Sequence, residues 1–221
     1  GVKPFLRESF TRACFRPEMD AETYLGQHVS KSLRKNFRRM SRRLNEKGEV
    51  TVVKRREGDS SEELVADFMR LEASGWKGEA GTALNCDEKN REFFQEMVAR
   101  SFRNGKISFL AINLDGKPIS MLCDMYSRGV GYAYKTAFDD QMRDYSPGLM
   151  AELHNIDYMH EQDVSLMDSC SAADNSTMSR VWDGRIRFQS LVVPLGGSLP
   201  KWATALMPLM QQLRHSLSKK K

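Results

Sequence analysis

The chain has 221 residues, of which 40% are hydrophobic and 9% aromatic, so it can bury a sizeable core and is not a disordered polypeptide. No window approaches the roughly 18 apolar residues that a membrane helix needs, and no charged-then-apolar leader opens the sequence. The cysteines at positions 14, 86, 123 and 170 form no CxxC pair, which argues against a zinc site or a disulfide framework and predicts a reduced, cytoplasmic setting without a bound metal.

The positive charge is concentrated in one segment. Residues 31–47 contain eight lysines and arginines and one acid, Glu46, so this segment carries +7. Because the whole chain carries +5, the remainder is slightly acidic at −2. The basicity therefore marks one surface and does not indicate a protein that is cationic throughout.

The first part of the chain predicts a helical extension. Residues 1–26 show no clear period and predict an irregular arm or an edge segment. An amphipathic helix is predicted over residues 27–47, because apolar residues recur there at helical spacing, and Gly48 ends it. These apolar residues are Leu33, Phe37, Met40 and Leu44. A strand is predicted over 49–55.

Two further helices precede the central part of the chain. Ser60 and Ser61 before two glutamates predict a helix start, and the helix should continue toward Trp76. Small and polar residues over 77–88 predict a loop. A second helix is predicted over 90–103, with its apolar side chains in the core. These side chains are Phe93, Phe94, Met97 and Phe102.

The central part has the most regular pattern. Three strands joined by short turns, at 106–114, 117–126 and 130–138, predict an antiparallel meander. A helix follows from Ser146, and after it a strand at 164–168, a helix at 174–182, a strand at 185–193 and a last helix at 200–217. This β-β-β-α-β-α-β order predicts one domain over 27–221 that follows an N-terminal arm over 1–26.

The turn before the helix at Ser146 has a composition that suits a diphosphate. Amides at a helix start lack intrahelical partners and lie at the positive end of the helix dipole, so an anion can satisfy several at once. Gly148 would allow a close approach, while Ser146 could cap the helix with Pro147 at its first position. The alternative is that Ser-Pro-Gly merely starts a helix.

This element order and this turn resemble the GNAT acyltransferases. Their turn has the pattern Arg/Gln-x-x-Gly-x-Gly/Ala, which Arg143 and Gly148 match, while Ser146 replaces the first glycine. The resemblance implies an α/β (α+β) fold with a mixed, mostly antiparallel twisted sheet flanked by helices. It also implies acetyl-CoA or another acyl-CoA as co-substrate. The implied cofactor-binding residues are Arg143, Asp144, Tyr145, Ser146, Pro147, Gly148, Leu149 and Asn175.

One position departs from the GNAT pattern. In these enzymes an Asn on the next helix is followed seven residues later by a Tyr that often protonates the leaving thiolate. Asn175 matches, but Trp182 stands at the tyrosine position, and an indole N–H is a donor without useful acidity. The general acid is therefore left open.

A more specific resemblance, over roughly residues 24–193, is to a GNAT subfamily of bacterial cellulose and exopolysaccharide biosynthesis proteins. It rests on the basic helix at 32–39, the Gly75-Trp76-Lys77 sequence, the strand at 134–138, the turn at 145–148 and the Asp168-to-Trp182 spacing. This subfamily is similar to the Fem-type aminoacyl transferases, which often pair two GNAT-like domains. The chain can thus be one half of a tandem protein.

The chemistry implied is transfer of an acyl group to an amine, which needs positioning and removal of a proton. Asp168 at a strand end, Tyr134 and Lys135 are the candidate catalytic residues. Two alternatives stay open: Asp168 caps the next helix, and Lys135 contacts phosphate or solvent.

The predicted function is an acyl-CoA-dependent N-acyltransferase acting on an amino sugar or another cell-envelope amine. The basic helix is either a solvated face or a site for an anionic acceptor, the CoA 3′-phosphate, an anionic membrane or RNA. The alternatives to the predicted function are a tRNA-dependent aminoacyl transferase of the Fem type and a non-catalytic GNAT-like module that binds through residues 31–47. The oligomeric state is not predicted.

Overall fold

A computed structural model describes residues 4–55, 59–172, 175–195, 197, 200, 202 and 204–209, without the side chain of Trp76. The strands are β1 (Phe5–Phe15), β2 (Val50–Arg55), β3 (Ile107–Leu114), β4 (Lys117–Ser127), β5 (Val130–Phe138), β6 (Leu166–Asp168) and β7 (Gly184–Val192). The helices are α1 (Ala21–His28), α2 (Lys31–Asn45), α3 (Ser61–Ala73), α4 (Trp76–Glu79), α5 (Glu88–Phe102), α6 (Pro147–Glu161) and α7 (Ser176–Val181). Two 3₁₀ turns cover Leu84–Cys86 and Asp140–Tyr145.

The strands form one seven-stranded sheet in the order β2-β3-β4-β5-β6-β1-β7. The neighbours from β2 to β5 are antiparallel, as are β6 and β1, whereas β5 and β6 are parallel. This mixed, mostly antiparallel sheet with helices packed on it confirms the fold class expected from the sequence.

Successive strand residues face opposite sides of the sheet and enter different cores. On one side Phe109, Met121 and Ala137 pack with residues of α3 and α5. On the other side Leu110 and Leu122 pack with residues of α2 and α6. This second side carries α2 and α6, and the start of α6 is where the turn at residues 143–148 lies.

The chain consists of two compact units. One comprises Gly1–Thr11 and Ile186–Lys221, and the other Arg12–Arg185. Within the first, the Phe10 and Phe188 rings stack with centroids 5.6 Å apart, and the Arg187 Nε donates to the Ser9 Oγ at 3.1 Å. The candidate site lies entirely within the second unit. The predicted domain bounds of 1–26 and 27–221 stay a prediction.

Several local predictions from the sequence were wrong. Residues 5–15 form β1, a strand inside the sheet between β6 and β7, and not an irregular arm or edge. Residues 27–47 do not form one helix: Ser30 starts α2 anew, its side chain accepting from the Leu33 amide at 3.2 Å. The expected loop at 77–88 contains the end of α4 and a 3₁₀ turn.

The burial predictions for α5 hold for three of its four apolar residues. Phe94 and Phe102 are buried and Met97 is partly buried against the same core, but Phe93 is 61% exposed. At the C-terminus residues 204–209 are helical, in keeping with the predicted last helix. The rest of that prediction, beyond residue 209, and Asp174 at the start of the predicted helix 174–182 lie outside the described residues.

Candidate acyl-donor site at the start of α6

The turn between β5 and α6 is a 3₁₀ turn followed by a left-handed residue. Asp139 starts the 3₁₀ turn by accepting from the Gln141 amide at 3.0 Å. Ser146 then has φ 49° and ψ 51°, and its amide donates to the Arg143 carbonyl at 2.9 Å. Glycine adopts this left-handed conformation most easily, so Ser146 takes the backbone conformation expected of the glycine that it replaces.

Ser146 does not cap α6 with its side chain, contrary to the sequence-based expectation. Its side chain accepts no capping hydrogen bond, although Pro147 does occupy the first turn as predicted. The Ser146 amide already donates to the Arg143 carbonyl, and Pro147 has no backbone N–H. The Met150 amide donates to the Ser146 carbonyl at 3.0 Å. The amides of Gly148 and Leu149 are therefore the donors that the helix start offers to an anion.

Gly148 permits close packing between α6 and β5. A Cβ atom built on Gly148 would lie 3.3 Å from the Phe138 Cδ1 and 3.6 Å from the Thr136 Cγ2. The missing side chain therefore leaves room for β5, so that the first turn of α6 lies directly against the end of that strand.

Next to this turn, β5 and β6 diverge. They pair only through Val130, Gly131 and Tyr132 of β5, and β6 ends at Asp168. In the described part of the chain, residues 133–138 of β5 therefore have no strand partner on the β6 side. The register between β4 and β5 also shifts at Cys123/Asp124, which makes Tyr134 an extra residue in β5. The result is a wedge between two strands that opens toward the start of α6.

The bulge turns Tyr134 and Lys135 toward the side of the sheet that carries α3 and α5. The Tyr134 ring stacks on Phe94 with centroids 6.5 Å apart, and burial raises the pKa of its hydroxyl. The Lys135 Nζ lies 2.9 Å from the Glu72 Oε1. Lys135 thus forms a partly buried ion pair. This contact replaces the orientation toward solvent that was one of its two alternatives from the sequence.

Glu72 is a buried charge that the sequence analysis missed. Its side chain is 1% exposed and accepts from the Lys77 Nζ at 3.1 Å and from the Leu84 amide at 2.9 Å, besides Lys135. Burial by itself would raise the pKa of Glu72, but these donors, with Lys135 first, lower it below its usual range. Glu72 therefore ties α3, α4 and β5 together where Tyr134 bulges.

Asp168 ends β6 at the point where β5 and β6 begin to diverge, the closed end of the wedge. Its backbone pairs with Cys14 of β1 and Tyr132 of β5. Its Oδ1 lies 3.5 Å from the Arg12 Nε and accepts from the Cys170 amide at 3.0 Å. The carboxylate therefore closes a turn and pairs with a cation, and it starts no helix.

Asn175 and Trp182 have structural surroundings. The Asn175 Oδ1 caps α7 by accepting from the amides of Thr177 and Met178, both at 3.1 Å. Trp182 is fully buried in a core that includes Phe15 and Tyr24. Tyr24, from the N-terminal extension, donates its hydroxyl to the Val181 carbonyl at 3.0 Å or to the Asp183 carboxylate at 2.9 Å.

A second buried polar cluster lies between β4, β5 and α6. The Asn155 Nδ2 donates to the Asp124 Oδ2 at 2.8 Å, and the Thr136 Oγ1 donates to the Glu152 Oε1 at 3.4 Å. Burial raises the pKa of Asp124 to about 7 and that of Glu152 to about 8. In the sequence, the signal for this cluster was the pair of polar residues, Glu152 and Asn155, within the apolar stripe of α6.

The basic segment forms one wall of an open groove of about 580 Å³. Four of its cations come from α2 and one from α7: Lys35, Arg38, Arg39, Arg42 and Arg180. At the end of α2 nearer the turn, the Arg43 guanidinium lies over the Tyr145 ring, 5.4 Å from its centroid. The groove and the turn are thus neighbouring features on one side of the sheet.

The mixed sheet, the wedge and the turn before α6 define a protein of the GNAT class. The acetyltransferase (GNAT) domain family matches residues 31–175, so the chain belongs to this family. A search of curated proteins found no match.

Solved structures share this fold at low sequence identity. FemX superimposes with a TM-score of 0.56 at 12% identity, over 85% of this chain and 62% of FemX. The C-terminal domain of a candidate lysylphosphatidylglycerol synthetase from Agrobacterium fabrum gives 0.58 at 12% identity, over 95% of this chain and 65% of that domain. A Bacteroides thetaiotaomicron protein of unknown function gives 0.50 at 10% identity, over 81% and 56%. The chain covers less than two thirds of each of these structures.

Two kinds of feature are absent from the described residues. None of the helices there has both the length and the apolar character needed to cross a bilayer. No group of three or more His, Cys, Asp or Glu residues is placed there to hold a metal ion.

Proposed function

We propose that the protein is an N-acyltransferase that takes its acyl group from acyl-CoA and transfers it directly to an amine. The observation that carries the proposal is the junction of the wedge with the start of α6. Gly148 and Leu149 present amides at the positive end of a 15-residue helix, immediately beside the unpaired edge of β5. A diphosphate at the helix start would direct the attached pantetheine arm along that edge.

Arg143 and Asp144 complete the proposed diphosphate site from the 3₁₀ turn. Arg143 is exposed, and its guanidinium lies 3.6 Å from the Asp140 carboxylate, a surface ion pair that a phosphate can replace at little cost. The Arg43 guanidinium of α2 packs over the Tyr145 ring, and this contact stabilises the position of the turn. Asn175 contributes by fixing the start of α7.

The proposed reaction joins the amine nitrogen to the thioester carbonyl carbon and breaks the carbon–sulfur bond. The amine must lose a proton and the departing thiolate must gain one. We assign the removal of the amine proton to Asp168, directly or through water, because Asp168 is the last residue of β6 that pairs with β5 before the two strands separate. Arg12 and the Cys170 amide hold this carboxylate in place.

Tyr134 and Lys135 are proposed to shape the acceptor side of the wedge. Tyr134 belongs to the part of β5 that has no partner on the β6 side, and its half-buried ring stacks on Phe94, so we assign its hydroxyl to contact with the acceptor. Lys135 acts through Glu72: this ion pair holds the bulge that places Tyr134. Trp182 is buried in a core and is not proposed as an acid.

For the acceptor we propose an amino sugar or a related amine of the cell envelope. The proposal rests on the sequence resemblance to proteins of exopolysaccharide biosynthesis. It is tested by incubating the protein with acetyl-CoA and a panel of amino sugars, and by measuring free thiol release. Thiol release with amino sugars, but not with their N-acetylated forms, is the expected result. A panel without turnover, given demonstrated acetyl-CoA binding, would contradict the acceptor assignment.

The specific alternative is aminoacyl transfer from tRNA, which the likeness to FemX and the basic groove favour. Both donors can be offered to the same preparation together with an amine acceptor. Transfer from aminoacyl-tRNA without transfer from acyl-CoA would replace the proposed function with this alternative. Absence of transfer from either donor, with nucleic-acid binding through residues 31–47, would instead indicate a non-catalytic module.

A further inference from the structure

The groove between α2 and α7 concentrates positive charge without neutralising it. Its lining contains five cations and no acid among the described residues. Arg42 lies 4.0 Å from the Glu46 carboxylate, an exposed contact, and Arg39 bonds the neutral Asn36 side chain at 2.7 Å. No acidic partner is recorded in the described structure for Lys35, Arg38 or Arg180.

Such a cluster repels itself unless an anion occupies it. Lys35 and Arg42 are seven residues apart on α2, which at the helical rise is about 10 Å along the axis. Arg180 adds a cation from a different helix, so the charges converge on a concave space and do not form a single stripe. The volume of about 580 Å³ lies within the roughly 300–1,000 Å³ range of small-molecule sites.

The groove also has a fixed relation to the proposed diphosphate site. α2 packs along α6, with Phe37 against His154 at 5.5 Å between ring centroids, and reaches the turn through Arg43 and Tyr145. Leu33, near the other end of α2, shares a core with Met178 and Val181 of α7. The C-terminal end of α2 therefore adjoins the proposed diphosphate site, and the groove extends from there along α2 toward α7.

We propose that the groove binds the 3′-phosphoadenosine end of acyl-CoA, with the cations of α2 and α7 holding the 3′-phosphate. This inference rests on the proposed function and extends it to the N-terminal helical extension. The 3′-phosphate of CoA is attached to the ribose, and this ribose separates it from the diphosphate. Arginine suits this task because its planar group both pairs with phosphate in bidentate fashion and stacks on a base.

Removing one phosphate from the ligand provides a sharp test. Calorimetry at low salt compares CoA with dephospho-CoA, which lacks only the 3′-phosphate. We expect CoA to bind at least about 10-fold more tightly, the scale of one charged hydrogen bond, and the Arg38→Glu/Arg42→Glu variant to bind both ligands equally. Both arginines are exposed, so the variant should fold, and far-UV circular dichroism checks this. Lys89→Glu/Lys117→Glu, an equal charge change at exposed sites outside the groove, should keep the 10-fold preference.

Three results would overturn the inference in distinguishable ways. Equal binding of CoA and dephospho-CoA by the unmodified protein removes the 3′-phosphate from the groove but leaves the proposed function intact. Binding of neither ligand by folded protein removes the proposed function itself. Fluorescence anisotropy with a labelled single-stranded RNA supplies the third: RNA binding that is tighter than CoA binding, and is lost in the Arg38→Glu/Arg42→Glu variant, would assign the groove to nucleic acid.

Discussion

The Nζ of Lys135 lies 2.9 Å from the Oε1 of Glu72, so a residue at the bulge of β5 is joined to a buried carboxylate of α3. The same oxygen is 3.1 Å from the Nζ of Lys77. The Glu72 carboxylate thus pairs with two lysines, and the side chain of each lysine is partly buried. This arrangement fixes the side of β5 on which the proposed acceptor would lie, and it makes Glu72 the residue on which the local geometry depends.

Replacing Glu72 should therefore destabilise the fold. Glu72→Gln removes the negative charge that two ammonium groups share, and we expect a loss of about 2–3 kcal/mol, the scale of charged hydrogen bonds. Urea denaturation monitored by fluorescence measures the change. Glu92→Gln, at an exposed position of α5, is the matched control and should stay within about 0.5 kcal/mol of the unmodified protein. Equal effects of the two substitutions would contradict the role given to Glu72.

The Asp124 and Glu152 cluster predicts a stability that falls as the pH rises. Burial raises both pKa values, to about 7 and about 8, so the folded protein keeps protons that the unfolded chain has released. Stability is then highest below the unfolded pKa values and is lost as the pH passes the folded ones. Between pH 6.5 and 8.5 the free energy of unfolding should decrease.

Glu152→Gln should flatten that dependence because glutamine does not titrate. Burial lowers the pKa of His154, so this residue contributes stability that rises with pH, but it does so equally in the variant and the unmodified protein and cancels when their slopes are compared. Chemical denaturation at pH 6.5, 7.5 and 8.5 compares the two slopes. An identical pH slope in the variant and the unmodified protein would show that Glu152 is not protonated in the fold.

Ser30 and Ser146 both stand before a helix, yet only Ser30 caps it. Ser30→Ala should cost about 1 kcal/mol because the Leu33 amide loses its acceptor. Ser146→Ala should cost less than half of that, since the Ser146 side chain makes no capping bond. Ser146→Gly should be neutral or stabilising, because its φ of 49° suits glycine. Thermal unfolding ranks the three variants, and a Ser146→Ala cost equal to that of Ser30→Ala would contradict this geometry.

Tyr24 should contribute to stability through its hydroxyl. It bonds the Val181 carbonyl and the Asp183 side chain, and it also accepts from the Asp183 amide at 3.0 Å. Tyr24→Phe leaves the buried Val181 carbonyl without this donor and the Asp183 amide without this acceptor, so we expect a loss of about 1–3 kcal/mol. Tyr132→Phe serves as the control because Tyr132 is less buried and its hydroxyl makes no hydrogen bond to the described residues. Urea midpoints that shift equally for both would count against the role of Tyr24.

The parts of the fold that the sequence predicted are those governed by local patterns. The meander from β3 to β5 follows from alternation and two-residue turns, and α6 follows from helical spacing after Ser146. β1 was missed because only its last residues are buried, and its place depends on pairing Cys14 with Asp168, 154 positions later in the chain. The break before α2 was missed because the apolar spacing continues across Ser30.

In the candidate site, too, the contiguous motif could be predicted from the sequence, whereas the tertiary contacts could not. The turn at Arg143–Gly148 is a contiguous motif, so it could be found without the structure. The partners of Lys135 and Asp124 could not, because Glu72 and Asn155 approach them only once α3 and α6 pack on the sheet. Asp168 was predicted from its strand end, but its contacts with Arg12 and the Cys170 amide are set by tertiary packing.

The central claim is that the amide of Leu149, with that of Gly148, binds the diphosphate of the acyl donor. Leu149→Pro deletes this N–H at a position in the first helical turn where no intrahelical bond is lost, whereas Leu149→Ala removes the side chain but keeps the N–H. Calorimetry with acetyl-CoA should show binding to the Ala variant within about threefold of the unmodified protein, and at least about tenfold weaker binding to the Pro variant, the scale of one lost charged hydrogen bond. Equal affinities for the two folded variants, or no binding of acetyl-CoA by the unmodified protein, would contradict the claim.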